Sequence, residues 1–207
     1  MILIKSDLMP DEKFNMFPLN IPRHVLLSVE KPARYTGGEY NSVIKDPDYT
    51  DIRFAFCFPD IYDIGMSHLG MKILYHMLNE RTDTYCERCF MPWTDMLSEM
   101  KKNDIPLFSL ETRTPLRGFD VLGFTLQYEM SYSNVIAMLD LSGIPIYSKD
   151  RDENDPIVVG GGPCTFNPEP VADFFDILFI GEGESHINYF LELFKDFKTS
   201  KNSTDFV

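Results

Sequence analysis

Short apolar runs alternate with amphipathic stretches along most of this chain. Runs rich in β-branched and aromatic residues, bounded by proline, glycine or aspartate, predict buried strands. The main strand candidates are Ile52–Phe58, Thr84–Phe90, Val121–Leu126, Ile157–Val159 and Ile177–Ile180. Two shorter candidates are Leu107–Leu110 and Ile144–Tyr147.

Helices are predicted between these strands, where apolar residues recur every three or four positions. The first spans Gly65–Asn79, and the last, Glu184–Lys198, turns a row of apolar residues inward. In a second helix, opened by Pro92, the inward face is Trp93, Met96, Leu97 and Met100. A third helix is capped by Ser131 or Ser133 and ended by Gly143.

This alternation predicts an α/β fold, a doubly wound parallel sheet of the Rossmann or flavodoxin type with helices on both faces. We place a single domain at residues 51–198. Residues 1–50 lack sustained periodicity and contain several prolines, so we expect an N-terminal extension packed on that domain. Residues 199–207 lack a core-forming pattern, which predicts a tail or a linker to a further domain.

Composition narrows the class of protein. Among 207 residues, 44% are hydrophobic and 25% charged, as in a soluble globular protein. The 19 basic and 32 acidic residues give a net charge of −13, and an acidic surface disfavours nucleic-acid binding because it repels phosphates. No apolar run approaches the roughly 20 residues of a membrane helix, and no signal peptide is evident. With only four cysteines, these features favour a cytoplasmic protein.

Two glycine-rich loops follow the last two predicted strands. Gly160, Gly161 and Gly162 end one strand before Pro163, and the segment 181–184, Gly-Glu-Gly-Glu, follows the other. Parallel strands place such loops at one edge of the sheet, where open α/β sheets bind ligands. Glycine lets backbone N–H groups approach a large ligand closely. Either loop alone is also explained as a tight strand-to-helix turn.

Other candidate chemistry is sparse. Cys86 and Cys89 form a lone C-x-x-C, whereas a structural zinc site needs four ligands and a redox dithiol opens a helix. We therefore predict no metal site. No nucleophile triad, carboxylate pair or P-loop stands out. The segment Lys31–Asn41 mixes basic, aromatic and glycine residues, which fits either an ordered loop or part of a binding surface.

Several stretches resemble the N-terminal cobalamin (B12)-binding-like domain of a family of fused radical SAM proteins. They include KPARYTGGEYN, FPDIYDIGMSHLGMKILYHMLN, ERCFMPWTDM, FTLQYEMSYSNVIAMLDLSGIP, VVGGGPCTFNPEPVADFFD and IGEGE. The resemblance implies that the loops at Pro59–His68, Thr125–Ser131, Gly160–Thr165 and Gly181–Glu184 surround a corrinoid. The implied cofactor-binding residues are Pro59, Asp60, Gly65, Ser67, His68, Thr125, Gln127, Glu129, Gly160, Gly161, Gly162, Pro163, Thr165, Gly181, Glu182, Gly183 and Glu184.

The sequence departs from that family pattern in two ways. The cobalt-ligating Asp-x-His-x-x-Gly is absent, because Met66 stands two residues before His68 and Gly70 two after. Cobalamin is therefore expected to bind without a protein histidine ligand. The C-x-x-x-C-x-x-C of a [4Fe–4S] cluster is also absent, so the cluster and S-adenosylmethionine are expected only in a downstream catalytic domain.

Three functions remain open. The chain is a corrinoid-binding module of a radical SAM enzyme, a scaffold that keeps the fold and docks on the catalytic domain, or a stand-alone nucleotide- or flavin-binding protein. The first requires the four loops to converge at one end of the sheet. A side chain at Gly161 or Gly183 is then expected to intrude on the ligand or to strain the backbone.

Overall fold

The computed structural model describes residues 18–204, with side chains described through residue 199. Five strands form one sheet in which every pair is parallel, in the order β2-β1-β3-β4-β5. The strands are β1 Ile52–Phe58, β2 Thr84–Phe90, β3 Val121–Thr125, β4 Ile157–Gly161 and β5 Ile177–Leu178. The predicted doubly wound parallel sheet is confirmed, in the strand order typical of flavodoxin-like folds.

Six α-helices accompany the sheet in the described residues. They are α1 Arg23–Ser28, α2 Tyr62–Gly65, α3 Leu69–Glu80, α4 Thr94–Lys102, α5 Tyr132–Leu141 and α6 Gly183–Thr204. No described helix is both long enough and apolar enough to cross a bilayer. The chain winds first from β1 to β2 and then returns to the other side of β1 with β3, so the switch point lies between β1 and β3.

Strand alternation divides the core into two apolar clusters, one on each face of the sheet. Phe54 and Phe56 of β1 face the cluster that contains apolar residues of α3 and α6. Ala55 and Cys57 of the same strand face the other cluster, which is built with α1, α4 and α5. The molecule is therefore a three-layer sandwich with α3 and α6 together on one face.

The described part of the N-terminal segment contributes to the second cluster. Ile21, Val25, Val29 and Tyr35 are all buried there. The Leu19 amide also donates to the Arg113 carbonyl at 2.9 Å. Residues 1–17, which include part of the predicted extension, lie outside the described residues.

The helix predicted from Gly65 to Asn79 is two helices. α2 ends at Gly65 and α3 begins at Leu69, because the His68 ring caps the second helix: its Nδ1 accepts a hydrogen bond from the Met71 amide at 3.1 Å. A side-chain cap interrupts a helix because it replaces a carbonyl from the preceding turn. Helical periodicity alone could not reveal this break.

Two predicted strands do not form. Residues 107–116 fold back on themselves through a single antiparallel bridge between Phe108 and Pro115, outside the main sheet. Leu110 nevertheless donates to the Arg88 carbonyl of β2 at 2.7 Å, so this loop covers the sheet edge. Residues 144–147 are irregular, with the Ile144 amide bonded back to Leu139 of α5.

Helix ends also differ between the prediction and the structure. Ser131 stands at the start of α5 but gives no side-chain cap, because its hydroxyl donates to the Tyr128 carbonyl at 2.7 Å. Pro92 lies two residues before α4. α6 continues past Lys198 to Thr204, since an established helix propagates without needing further core contacts.

Candidate functional site

A cavity of about 150 Å³ lies at the carboxyl end of the sheet, on the face covered by α3 and α6. The N-terminal turns of those two helices form its side walls, through His68, Gly70 and Leu74 on one side and Gly183 and Ile187 on the other. The strands supply the floor and the back. Its remaining lining residues are Phe54, Phe56, Gly123, Phe124, Thr125, Gln127, Val159, Gly160, Gly161, Gly162, Phe179 and Gly181.

The three glycines after Val159 have different roles. Gly160 is needed by the fold, because a Cβ there would lie 2.7 Å from Leu178 and 2.9 Å from Phe175. Gly161 has open space around the position of a Cβ and no positive φ, so the expected backbone strain is absent there. Gly162 carries the strain: its φ is 105°, and a Cβ would meet the Leu126 carbonyl oxygen at 2.9 Å.

The second glycine loop is built similarly. Gly181 has a φ of 112°, which turns the chain from β5 toward α6. Gly183 begins that helix, and a Cβ on it would lie at an ordinary 3.6 Å from Leu74. A side chain at Gly183 would therefore narrow the space between α3 and α6 without straining the backbone.

His68 lines the cavity but has no free lone pair to offer. Nδ1 accepts the Met71 amide, so the proton of the neutral ring sits on Nε2. The ring packs against Phe58 with centroids 5.3 Å apart. His68 can thus donate a hydrogen bond into the cavity, whereas ligating a metal would require it to give up its cap.

The cavity is otherwise apolar, with one polar pair. The Gln127 amide donates to the Thr125 hydroxyl at 2.5 Å. Phe54 reaches under β3 because Gly123 has no side chain to exclude its ring. The lining suits a small apolar group that is held by few hydrogen bonds.

The four predicted loops thus meet at one end of the sheet, and each supplies at least one lining residue. Eight of the predicted site residues line the cavity: His68, Thr125, Gln127, Gly160, Gly161, Gly162, Gly181 and Gly183. The other nine, which are Pro59, Asp60, Gly65, Ser67, Glu129, Pro163, Thr165, Glu182 and Glu184, lie outside its lining.

Several of those nine residues have internal partners. The Pro59 carbonyl accepts from Asn134 at 3.0 Å, and Thr165 donates to the carbonyls of Gly162 and Phe179, each at 2.8 Å. Gly65 is a packing position, because a Cβ would enter the ring of Phe90.

Asp60 and Tyr128 are joined across the switch point between β1 and β3. The Tyr128 hydroxyl donates to the Asp60 carboxylate. This hydrogen bond raises the pKa of Tyr128 to about 12. Tyr128 is missing from the predicted site residues. The sequence around an isolated tyrosine in a loop does not indicate which residue its hydroxyl will contact.

Sequence reasoning also missed the apolar walls. Leu74 and Ile187 look like ordinary core positions of amphipathic helices, and Phe54 and Phe56 like ordinary strand residues. Nothing in their spacing distinguishes a side chain that fills the core from one that borders a cavity.

Cys86 and Cys89 do not form a joint site. They point to opposite faces of β2: Cys86 belongs to the α3 cluster, and Cys89 to the other, beside Cys57. Burial raises the pKa of the Cys86 thiol well above its usual value. Within residues 18–199, no group of three or more histidine, cysteine, aspartate or glutamate side chains could hold a metal.

Exposed apolar side chains surround this end of the molecule. Each of the five loops that leave the carboxyl ends of the strands exposes at least one, a set that we call the apolar rim. Its members are Ile64, Leu69, Trp93, Tyr128, Met130, Phe166 and Ile180. Exposed apolar side chains also occur elsewhere on the described surface, so the apolar rim is defined by its place at the carboxyl ends of the strands.

Comparisons with known proteins identify the family of this chain. The family model described as the N-terminal region of radical SAM proteins matches residues 70–206. An uncharacterised protein of Methanocaldococcus jannaschii is 29% identical over 133 residues, which cover 63% of this chain and 24% of the relative. The chain therefore spans about a quarter of the length of this curated relative. By the extent of the family match, the chain belongs to the family of N-terminal regions of radical SAM proteins.

Proposed function

We propose that this chain is the corrinoid-binding module of a radical SAM enzyme. The carboxyl-end cavity takes one part of the corrinoid, and the apolar rim faces the catalytic domain of the full-length protein. One observation carries the proposal. Two glycine loops and the N-terminal turns of α3 and α6 enclose an apolar cavity at the edge where doubly wound sheets bind ligands.

The size of the cavity sets how such a ligand binds. Pockets that hold a whole drug-sized molecule measure about 300–1,000 Å³. At about 150 Å³ this cavity admits only one portion of a larger molecule. The rest of a corrinoid would lie over the mouth, between the sheet edge and whatever covers the apolar rim.

The polar side chains that line the cavity suit a corrinoid whose cobalt has no protein ligand. His68 uses its Nδ1 lone pair to cap α3, and Gln127 is bonded to Thr125. The residues that would hold the cofactor are therefore the glycine backbones and apolar walls, with His68 and Gln127 as hydrogen-bond donors. When bound, a corrinoid supplies a cobalt centre that carries alkyl groups.

The experiment is a titration of the purified chain with hydroxocobalamin, followed by absorbance and equilibrium dialysis. Gly161→Leu places a side chain in open space inside the cavity, so it should weaken binding by about tenfold or more, with little change in stability. Thermal unfolding of the variant provides the control for folding.

His68→Ala separates a cobalt ligand from a cap. We expect the absorbance spectrum of the bound cofactor to stay the same, while the stability of the chain falls by about 1 kcal/mol because α3 loses its cap. A changed spectrum would show that His68 reaches cobalt. If neither the isolated chain nor the full-length protein has any corrinoid affinity, the chain is a scaffold for the catalytic domain.

A further inference from the structure

A second and larger cavity lies between α3 and the segment Glu39–Val43, and none of the glycines of the two loops lines it. Its volume is about 640 Å³, within the range of about 300–1,000 Å³ that holds a complete small molecule. We call it the α3 groove. Its lining residues are Glu39, Tyr40, Asn41, Ser42, Val43, Met66, Met71, Lys72, Tyr75, His76 and Arg88.

The glycine pair in the segment Lys31–Asn41 helps to form this groove. Gly37 and Gly38 have φ values of 65° and 85°, and Gly37 passes so close to the Leu110 backbone that a Cβ would lie 2.5 Å from its carbonyl oxygen. The close approach places the residues after Gly38 alongside α3. The amide of Val43 is then held by the Tyr75 hydroxyl at 2.8 Å.

The floor of the groove is a buried arginine. The Arg88 side chain is only 6% exposed, and its guanidinium stacks over the Tyr75 ring at 4.4 Å. Its Nε donates to Glu111 at 2.6 Å and one terminal nitrogen to Ser42 at 3.0 Å. The other terminal nitrogen, NH1, faces the Met66 sulfur at 3.3 Å. A thioether is a weak acceptor, so an oxygen from a ligand would be a better partner for that nitrogen.

The acidic groups around the groove are already engaged. Glu39 accepts from Tyr62 and Ser42, each at 3.1 Å, and lies 3.5 Å from Arg88. Glu111 is fully buried against the same arginine.

Lys72, on the groove wall, is exposed, and its ammonium group forms no hydrogen bond or ion pair with any described residue. Lys72 is therefore the one lysine or arginine of the described lining whose charge has no ion-pair partner, whereas the charge of Arg88 is shared between Glu39 and Glu111.

We propose that the α3 groove binds an organic anion with a flat apolar body. The apolar body would lie against Met66, Met71 and Tyr75, its oxyanion between Arg88 NH1 and Lys72. Methionine walls adapt to ligands of different shape, which suits a site with few fixed hydrogen bonds. This site is independent of the corrinoid proposal, because the two cavities share no lining residue.

Three probes with one shared ring system test the charge preference. These are indole-3-acetate, indole and tryptamine, which carry an anionic, a neutral and a cationic group. Binding is measured by NMR on the 207-residue chain with labelled methionine methyl groups. We expect indole-3-acetate to shift the Met66 and Met71 signals and to bind about threefold to fivefold more tightly than tryptamine, as a single exposed charge contact allows.

Charge reversal at Lys72 supplies the matched variant. Lys72→Glu should abolish or reverse the preference for the anionic probe, whereas Lys101→Glu, on the exposed surface of α4, should leave it unchanged. Both variants change the net charge equally, so a general electrostatic effect would appear in both. Arg88 is a poor choice for this test, because its loss would leave the buried Glu111 carboxylate without its closest charge partner and change stability together with binding.

The outcomes are distinct. Equal affinity for the three probes, or an equal response to the two charge reversals, would overturn the proposal. So would methionine shifts that disappear in Gly161→Leu, because they would place the probe in the carboxyl-end cavity. Absence of binding at millimolar concentration of all three probes would also refute it.

Discussion

Two segments of this chain carry residue patterns typical of functional sites, but they differ in burial and in their position within a strand. The segment Cys86–Cys89 of β2 is sealed: each of its four side chains is at most 6% exposed. The glycine segment 160–162 borders an open cavity. A motif in the middle of a strand sends successive side chains to opposite faces, whereas a motif at the end of a strand leaves the sheet. A motif in the middle of a strand therefore cannot bring its two cysteines to one ligand, whereas glycines at the end of a strand can border a cavity.

The middle residues of the C-x-x-C hold the sheet edge rather than a metal. Glu87 accepts from Arg53 at 2.6 Å and Ser109 at 2.7 Å, and Arg88 pairs with Glu111. These contacts attach residues 107–116 to β2, which would otherwise be an open edge strand. The sealed segment is therefore a structural clamp, and the following experiments test how it differs from the glycine segment.

The largest effect is expected from Glu111→Gln. It removes the closer and more deeply buried of the two carboxylates that pair with Arg88, whose guanidinium stays buried, so the free energy of unfolding should fall by about 3–5 kcal/mol. Urea denaturation measures the change. In the double variant Glu111→Gln, Arg88→Met the loss should be smaller, because the buried guanidinium is removed together with its buried carboxylate partner. If Glu111→Gln costs less than about 1 kcal/mol, the segment is not the clamp that we describe.

Substitution by alanine should have different effects on stability at the two adjacent glycines, Gly161 and Gly162. Gly162→Ala forces a side chain onto a backbone with φ of 105°, which should cost about 1–3 kcal/mol. Gly161→Ala meets open space and should leave stability within about 0.5 kcal/mol of the parent. Thermal unfolding of the two variants side by side gives the comparison. Equal losses would mean that the cavity wall at Gly161 is packed.

Removing both thiols of the sealed segment should have a smaller effect. Cys86→Ala and Cys89→Ala are each expected to cost about 1 kcal/mol, through lost packing on the two faces of β2. Metal analysis of the parent chain should find neither zinc nor iron bound through these thiols. One equivalent of either metal that is lost in the double variant would contradict this prediction.

The smallest effect concerns the hydrogen bond between Tyr128 and Asp60 at the open edge. Because this bond raises the pKa of Tyr128 to about 12, its stabilising contribution is complete below the usual value of 10.0 and is lost as pH rises through about 12. Ultraviolet titration should therefore detect one late-ionising tyrosine, which Asp60→Asn shifts toward pH 10. An unchanged titration in Asp60→Asn would show that the bond does not form in solution.

The sequence by itself determined the five strands of the sheet, to within a few residues at their ends, and the class of fold. β1 coincides with its predicted run because a strand buried on both faces is apolar at nearly every position, whereas β2 coincides with its run despite the buried Glu87 and Arg88. The sequence also determined that two glycine loops follow β4 and β5. Because the carboxyl ends of parallel strands lie at the same edge of a sheet, the two loops were expected to lie close together. In the structure, both loops line the carboxyl-end cavity.

Only the tertiary structure decided which residues face an opening. His68 became a helix cap, Cys86 and Cys89 were separated by the pleat of β2, and Gly161 rather than Gly162 was left beside empty space. The α3 groove depends on a contact between Gly37 and the Leu110 backbone, 73 positions later in the chain. Local sequence patterns report periodicity and backbone freedom, whereas a cavity is the space that packed elements fail to fill, and that space exists only once distant segments have met.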